Sequence, residues 1–383
     1  MRLGQYTLPQ IAIGEYVAVI EGSASYASAT TTSGIFLKAG TYYSTTQYPE
    51  LYAKMGPFVD LDNWYLKSPS YEISTSFVSM TYGNGLYLVG GLGGTLYTST
   101  DSNTWISRTS GTASVLYALT YGNGLYIASG SGGMLRSSTD GITWTSRTSG
   151  STSVLLALTY GNGLYLYGGG GGALSSSTDG ITWTSRTSNT TSSILCLTYG
   201  NGLYVYGTVS GSIGTSTDGI TWTLRNSTTS YAINGVTYGN SLFVYVGGFG
   251  AVGTSTDGIT WTSRTFGSTI YNINGVTYGR GIYLAVGARN TIRTSTNGIA
   301  WTQRSMGTST VIMNACVYNN GIYAFAGEDQ WARNGGTAAI IGTTSVLPAD
   351  TSFIPIINTA SISTYTSNLP NSIGKVSYYV RAK

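Results

Sequence analysis

Short apolar runs separated by Gly-rich and polar turns recur along most of the chain. In one copy the run VLLALTY is followed by GNG, LYLYG, a stretch of glycines, ALSSS, TDG and ITWTSRTS. Asn-Gly pairs tolerate the positive φ of tight hairpins, so the runs are predicted to be antiparallel strands. The first run is apolar throughout, which predicts a strand buried on both faces. Four strands and their turns fill the copy and leave no room for a helix.

Two phrases mark this repeat. STDGITW occurs four times, with looser copies STDSNTW and STNGIAW, and the other half of the unit is TYGNGLY. A period near 40 residues with four strands is typical of one β-propeller blade. The first tyrosine of TYGNGLY recurs at intervals of 39 or 40 residues: Tyr82, Tyr121, Tyr160, Tyr199, Tyr238, Tyr278 and Tyr318.

The segment before the first repeat supplies the missing copy of the Trp phrase. Trp64 stands 18 residues before Tyr82, whereas the other six precede the next tyrosine by 16 or 17. We therefore expect Trp64 on the outer strand of the last blade, which leaves no open sheet edge. The predicted fold is all-β: a seven-bladed β-propeller over residues 57–342, and a small β-rich module formed by residues 1–56 and 343–383.

The phrase STDGITW is predicted to be a structural turn and not a site. Its Asp would accept hydrogen bonds from amides of its own turn, and its Trp would pack between neighbouring blades. One copy has Asn in place of Asp, which keeps the acceptor without the charge and argues against a cation ligand. The structural repeat residues are Asp101, Asp140, Asp179, Asp218, Asp257, Asn297, Trp64, Trp105, Trp144, Trp183, Trp222, Trp261 and Trp301.

Composition narrows the chemistry. Only 8% of residues are charged, against about 25% in ordinary domains, and the net charge is +4 without a Lys/Arg block, so no nucleic-acid partner is expected. There is no histidine, and Cys196 and Cys316 are too far apart in sequence for a metal-type pair, so we expect buried thiols, no metal and no cofactor. No apolar run is long enough for a membrane helix. Glu15 and Glu21 interrupt the first apolar stretch, so no signal peptide is expected.

Two resemblances follow from these residues. STDGxTW resembles the Asp-box of sialidase-like propellers, although it is one residue shorter between Asp and Trp. The flanks resemble the phage tail collar module and the ends of tail-fibre proteins. The matching flank residues are Gly34, Leu37, Gly40, Tyr43, Ser44, Tyr48, Pro49, Leu51, Tyr52, Gly56, the string Thr351–Pro355 and the terminus SYYVRAK. Ala39 and Ile356 depart from the collar pattern, which has Asp at both places.

The resemblance implies a phage tail fibre that is anchored by its flanks, is trimeric and belongs to the virion, outside the cell. Its expected partners are other tail or baseplate proteins and a host surface glycan or other receptor. Two alternatives stay open: a structural tail component whose propeller only braces the tail, and a secreted sialidase-like protein that binds or cleaves glycans.

No catalysis is expected. Glycoside hydrolysis needs placed carboxylates, or a Tyr nucleophile with an acidic partner, and the inner run VLLALTY has no acid or base. The arginines three residues after each phrase Trp occupy a structural position on the outer strand: Arg108, Arg147, Arg186, Arg225, Arg264 and Arg304.

Receptor binding is predicted on one face of the propeller. The loops between second and third strands differ between copies, and variable loops on a rigid frame commonly carry recognition. The last loop, AGEDQWARNGG, is the outlier; the alternative is that it forms a salt-bridged plug that caps the last blade. The candidate binding residues are Glu328, Asp329, Gln330, Trp331 and Arg333 in that loop, and Phe249, Arg289 and Asn290 in the two loops before it.

Overall fold

The computed structural model describes residues 16–20, 35–38, 42–43, 59–67, 75–267, 271–304, 311–319, 321–332, 336–346, 354–355 and 376–382. The chain divides into two compact units. One comprises Met1–Asp60 together with Val346–Lys383, and the other comprises Leu61–Ser345.

In the first unit, strands from the two ends of the chain pair with each other. Strands β1 (Tyr16–Ile20) and β2 (Ile35–Lys38) flank β33 (Val376–Ala382) in an antiparallel sheet. Strand β3 (Tyr42–Tyr43) pairs with β32 (Ile354–Pro355). Most of the collar-like residues lie outside the described residues, so the resemblance stays a prediction.

The second unit is a β-propeller, as the repeat predicted. Six blades consist of four consecutive antiparallel strands each. Blade 1 is β5 (Phe77–Gly83), β6 (Leu86–Gly91), β7 (Thr95–Ser99) and β8 (Ile106–Thr109); blade 2 is β9 (Leu116–Gly122), β10 (Leu125–Gly130), β11 (Leu135–Ser138) and β12 (Thr145–Arg147); blade 3 is β13 (Leu155–Gly161), β14 (Leu164–Gly169), β15 (Leu174–Ser177) and β16 (Thr184–Ser185); blade 4 is β17 (Ile194–Gly200), β18 (Leu203–Thr208), β19 (Ile213–Ser216) and β20 (Thr223–Arg225); blade 5 is β21 (Ile233–Gly239), β22 (Leu242–Gly247), β23 (Val252–Ser255) and β24 (Thr262–Arg264); blade 6 is β25 (Ile273–Gly279), β26 (Ile282–Gly287), β27 (Thr291–Ser295) and β28 (Thr302–Arg304).

Seven blades were predicted, whereas the structure shows six, each built from consecutive strands. The last tyrosine copy lies in a further, composite sheet of β29 (Val311–Asn319), β30 (Ile322–Ala332), β31 (Gly336–Val346) and β4 (Val59–Lys67). Strand β4 contains Trp64 and stands next to β31, the position expected for the segment around that residue. The chain has no Trp phrase after β31, so this sheet draws its fourth strand from the N-terminal side.

Single-turn 3₁₀ segments connect the second and third strands in four blades: Leu92–Gly94, Ser131–Gly133, Gly170–Gly172 and Gly248–Gly250. Because neighbouring strands are antiparallel, these loops lie at one end of each blade together with the links between blades. The GNG and DG turns lie at the opposite end. We call the first surface the variable face and the second the constant face. No helix of the described residues is long and apolar enough to cross a membrane.

The first strands of successive blades contact one another. In β13 the residues alternate between buried and partly exposed, so the prediction that this strand is buried on both faces is wrong. The register also skips one residue near the start of every first strand, which forms a β-bulge. The bulged residues are Val78, Tyr117, Leu156, Leu195, Asn234, Asn274 and Asn314.

Tyrosines join the blades. In blade 3, Tyr160 and Tyr165 pair across strands with ring centroids 4.5 Å apart, and the buried Tyr165 hydroxyl donates to the carbonyl of Gly122 in blade 2. A Cβ at Gly161 would lie 2.3 Å from the ring of Tyr199, so glycine is required where the next tyrosine packs. The corresponding hydroxyl bonds elsewhere are Tyr126 to Gly83, Tyr204 to Gly161, Tyr283 to Gly239 and Tyr323 to Gly279.

Candidate functional site

The Asp of the repeated phrase has a purely local set of contacts. Asp140 Oδ1 accepts hydrogen bonds from the backbone N–H groups of Ile142 and Thr143, each at 2.8 Å. Ser138 Oγ donates to the same oxygen at 2.8 Å. These donors favour the carboxylate, the N–H of Thr143 most of all, and lower the pKa of Asp140 to about 2. The carboxylate therefore caps its own turn.

The other copies have the same geometry. Asp101, Asp179, Asp218 and Asp257 each accept two backbone N–H groups of their turns. Asn297 accepts two as well, from Ile299 and Ala300 at 2.9 Å. A neutral oxygen thus performs the same task in blade 6. Among the residues that the structure describes, no three His, Cys, Asp or Glu side chains are grouped for a metal ion.

The phrase Trp and the following Arg also contact their own blade. Trp144 Nε1 donates to the carbonyl of Gly141 at 3.3 Å, and Arg147 Nε donates to Ser137 Oγ at 2.7 Å. The Trp lies directly before the fourth strand, which in blade 2 begins at Thr145. Trp222 and Trp261 are buried in clusters between blades, whereas Trp105, Trp144, Trp183 and Trp301 are half-buried. The side chain of Trp64 lies outside the described residues.

All six outer-strand arginines share this structural position. Each donates its Nε to a Ser or Thr hydroxyl on the third strand of its own blade, at 2.7 to 3.0 Å: Arg108, Arg147, Arg186, Arg225, Arg264 and Arg304. They form no cluster that could hold a sugar acid.

The first strands provide amides and no ionisable groups apart from Cys and Tyr. Asn234, Asn274 and Asn314 occupy the bulges of three successive first strands. Each donates Nδ2 to the carbonyl that precedes the next bulge, at 3.0, 3.0 and 2.8 Å. The last bond reaches Phe77 and so joins the composite sheet to blade 1. These amides hold neighbouring sheets together.

The two cysteines lie in first strands and are free. Cys196 is buried, and burial raises the pKa of its thiol to about 12. Cys316 is half-buried, and its pKa is also raised by burial. Raised pKa values keep both thiols protonated near neutral pH, which makes them poor nucleophiles.

Most of the variable face is made of small residues. In blades 1 to 3 the loop between the second and third strands has Gly at its tip, and in blade 4 it has Ser. The link residue two positions before the first strand is likewise Thr or Ser. These residues are Gly93, Gly132, Gly171 and Ser210 at the tips, and Thr75, Ser114, Ser153 and Ser192 in the links.

Blades 5 and 6 differ at both of these positions. Blade 5 has Tyr231 in the link and Phe249 at the tip, with ring centroids 5.0 Å apart at 44°. The rings are 50% and 65% exposed, respectively. Phe249 has a φ of 52°, in the left-handed region that the glycine tips adopt and that β-carbon-bearing residues avoid. A large apolar side chain is therefore held outward on a backbone suited to glycine.

Blade 6 repeats the arrangement with a cation. Tyr271 is the link residue, and the guanidinium carbon of Arg289 lies 5.0 Å above its ring centroid. Arg289 is exposed, and its φ of 51° is again left-handed. Asn272 connects the two pairs, because its Oδ1 accepts the backbone N–H of Phe249 at 3.1 Å. We call Tyr231, Phe249, Tyr271 and Arg289 the aromatic sector.

A cleft of about 270 Å³ lies at the blade 5 end of this sector. Tyr231 and Phe249 line it together with the hydroxyl-bearing residues of 228–230 and Ser263. A shallower depression of about 610 Å³ follows residues 186–191, but it is lined by Arg, Ser, Thr and Asn and lacks an aromatic ring. The cleft beside the aromatic sector is thus better suited to a ring-shaped ligand.

The candidate residues of the last loop are arranged differently from the prediction. Glu328, Asp329, Gln330 and Trp331 belong to strand β30, which continues to Ala332 and pairs with β31. The segment is therefore mainly a long hairpin and not an irregular loop. The side chain of Glu328 is half-buried, those of 329–332 lie outside the described residues, and so does Arg333.

Of the remaining candidates, Phe249 and Arg289 lie on the variable face, whereas Asn290 is only 8% exposed. Its backbone N–H donates to the carbonyl of Val311 at 2.8 Å, so Asn290 connects blade 6 to the composite sheet. Tyr231 and Tyr271 were not predicted. Alignment of the links would have found them, since Tyr occurs at this position only in these two copies.

No family model and no curated protein matches the chain in sequence. Solved structures of similar fold include a catalytically inactive variant of virginiamycin B lyase from Staphylococcus aureus with quinupristin (TM-score 0.65, 14% identity, 74% of this chain and 99% of that chain). YCF48 from Cyanidioschyzon merolae is similar as well (TM-score 0.58, 14% identity, 73% of this chain and 98% of that chain). A third is YCF48 bound to D1 peptide (TM-score 0.61, 14% identity, 76% of this chain and 97% of that chain). At such low identity these likenesses establish the β-propeller fold alone.

Proposed function

We propose that this protein is a phage tail-fibre adhesin whose propeller binds a host surface glycan through the aromatic sector of its variable face. The observation that carries the proposal is the pair Tyr231–Phe249, whose tilted rings pack against each other and are exposed beside Tyr271 and Arg289. On the rest of this face the corresponding described positions hold small residues. Exposed apolar groups gathered in one place are typical of binding surfaces.

The chemistry of the sector suits a saccharide. Aromatic rings offer flat apolar area to the C–H face of a sugar ring, and the hydroxyl-bearing residues 228–230 can exchange hydrogen bonds with its hydroxyls. The left-handed backbone at Phe249 costs on the order of 1 kcal/mol. Its ring is 65% exposed, so burial within the fold returns little of that cost.

The phage assignment rests on the flanks. The collar-like strings and the terminal SYYVRAK suggest attachment to other tail or baseplate proteins, a homotrimeric assembly and a place in the virion. In this proposal residues 1–56 and 343–383 form the anchor, and residues 57–342 form the propeller. The composite sheet would act as the seventh blade, since Asn314 binds blade 1 and accepts a bond from Asn274 of blade 6.

We further propose that the propeller binds without catalysis and without a cofactor. The first strands of the described blades carry no Asp, Glu, His, Lys or Arg. The lyase variant of similar fold is inactive after replacement of a histidine by alanine, and this sequence of 383 residues has no histidine. YCF48 with its bound peptide is an example of the fold holding a ligand.

The test compares variants on the variable face. Phe249→Gly installs the residue that blades 1 to 3 have at this tip, so its free energy of unfolding should stay within about 1 kcal/mol of wild type. We expect it to lose at least tenfold in affinity for glycan arrays and bacterial cells, with Leu92→Ala, an exposed apolar change in blade 1, as the control. Chromatography of the bound glycans should detect no cleavage products.

Two results would contradict the proposal. If wild-type protein binds neither saccharides nor any cell type tested, the alternative of a bracing tail component becomes the better account. If Phe249→Gly and Leu92→Ala bind like wild type, binding occurs elsewhere on the surface.

A further inference from the structure

We infer that the ligand of the aromatic sector is an acidic saccharide, whose anionic group binds Arg289 while a sugar ring lies on Tyr231 and Phe249. This inference rests on the proposed function and adds the chemical class of the receptor. Two observations support it: the exposed position of Arg289 over the ring of Tyr271, and the excess of arginines over acids in this part of the chain.

Arg289 is held ready for a ligand. Its guanidinium carbon lies 5.0 Å above the ring of Tyr271, its side chain is exposed, and it has no hydrogen bond or ion pair with any residue that the structure describes. A guanidinium that lies over the face of a ring spends no N–H group on a hydrogen bond to an oxygen, so its planar fork stays available to a ligand. That planar fork matches a carboxylate, sulfate or phosphate bidentately.

Other arginines in the described region have internal partners. The six outer-strand arginines each bind a hydroxyl of their own blade, for example Arg264 with Thr254 Oγ1 at 2.9 Å. Arg136 donates to the carbonyl of Gly111, and Arg293 lies over the ring of Phe266 at 5.6 Å. Arg289 differs because it is exposed and its neighbour is an exposed ring on the variable face.

The charge of this part of the chain favours an anion. Between residues 219 and 327 the sequence has six arginines and a single acid, Asp257. That acid caps a turn on the constant face, away from Arg289. The first acid after it is Glu328, which is half-buried in β30. No acid of blades 5 and 6 therefore lies beside Arg289 on the variable face to compete with an anionic ligand for its guanidinium.

The two halves of the sector are adjacent. Asn272 follows Tyr271 in the link, and its side-chain Oδ1 accepts the backbone N–H of Phe249, so the link of one pair is bonded to the tip of the other. A saccharide can therefore contact the apolar pair and the cation together, and each contact restricts the orientation that the other allows.

The experiment uses an array that carries each saccharide backbone in neutral, carboxylated, sulfated and phosphorylated forms. The wild-type chain of 383 residues should bind acidic members, and its affinity should fall as salt increases. Arg289→Gln should lose about tenfold to a hundredfold, and Arg289→Lys should lose less because it keeps the charge without the fork. Arg147→Gln removes the same charge from blade 2, which contributes no residue to the aromatic sector, so it should bind like wild type.

The outcomes separate this inference from the proposed function. Binding of neutral saccharides that depends on Phe249 but not on Arg289 would overturn the acidic ligand and leave the adhesin intact. Equal losses in Arg289→Gln and Arg147→Gln would mean that net charge matters and not this site, which also overturns the inference. If the protein binds no saccharide at all, both the acidic ligand and the proposed glycan-binding function are wrong.

Discussion

Tyr165→Phe tests whether hydroxyl bonds between blades stabilise the propeller. Tyr165 is 1% exposed, and its hydroxyl donates to the carbonyl of Gly122 in the preceding blade. Removing the hydroxyl leaves a buried carbonyl without that donor and opens almost no cavity. Such a loss costs about 1–3 kcal/mol, and a domain of this size loses roughly 2–4 °C in Tm for each kcal/mol.

Blade 5 provides the matched control, because it has Phe243 where five other sheets of the propeller have a tyrosine bonded to a glycine carbonyl. Phe243→Tyr should let a new hydroxyl reach the carbonyl of Gly200 and should raise stability by up to about 1 kcal/mol. Urea unfolding followed by tryptophan fluorescence measures both changes. Equal stability of Tyr165→Phe and wild type, with no gain from Phe243→Tyr, would refute the role of these bonds.

The same variant has a signature in alkaline solution. Burial, and to a smaller degree the neighbouring Tyr160 and Tyr121, raises the pKa of Tyr165 to about 12 from the usual 10. A raised tyrosine pKa means that the folded state favours the protonated form. The stability that the folded protein gains from this preference is fully present below about pH 10 and is lost as the pH rises through 12. Tyr165→Phe should therefore lose less stability than wild type between these values.

Asp179→Asn should be mild, because Asn297 already caps the turn of blade 6, whereas Asp179→Ala should cost about 1–2 kcal/mol in urea unfolding. A calcium-induced rise in Tm would contradict the capping role. The folded state lowers the pKa of Asp179 to about 2. The stability that its carboxylate gives is therefore fully present above about pH 4 and is lost as the pH falls to 2, and circular dichroism can follow this loss. Deletion of residues 57–70 removes β4 from beside β31, so the protein should aggregate through that edge; a soluble, equally stable protein would contradict this role. Trp331→Ala should weaken cell adsorption at wild-type stability, while Arg147→Ala should lower stability because it loses the bond to Ser137; unchanged adsorption would leave the hairpin only a structural role.

The period and its turns were predictable because each depends on local chemistry. Gly, Asn and Asp at fixed offsets set the hairpins, and the spacing of Trp64 from Tyr82 indicated the strand that joins the last sheet. The bulges in the first strands were not predictable. A bulge depends on how the strand meets its neighbours around the axis, and the run VLLALTY has the same apolar character with or without one.

The last hairpin was misjudged for a related reason. Its Glu, Asp, Arg and Gly content predicted a loop, but the segment Gly336–Val346 pairs with it and extends the strands. Pairing with the following strand overrides local composition. Of the aromatic sector only Phe249 and Arg289, which lie in the loops, were predicted; Tyr231 and Tyr271 lie in the links, where the other described copies have Thr or Ser.

Blades 5 and 6 depart from the rest of the repeat at the tips of their loops. In blades 1 to 3 the tip position holds Gly93, Gly132 and Gly171, each in the left-handed region without strain. Phe249 and Arg289 adopt the same region at a cost on the order of 1 kcal/mol each, and both side chains are exposed. Their contacts with Tyr231 and Tyr271 contribute about as much as this strain costs, so replacement of either tip residue should change stability little. Phe249→Gly with Arg289→Gln should therefore remove the proposed binding while the fold persists, which binding assays and urea unfolding of the same variant would check.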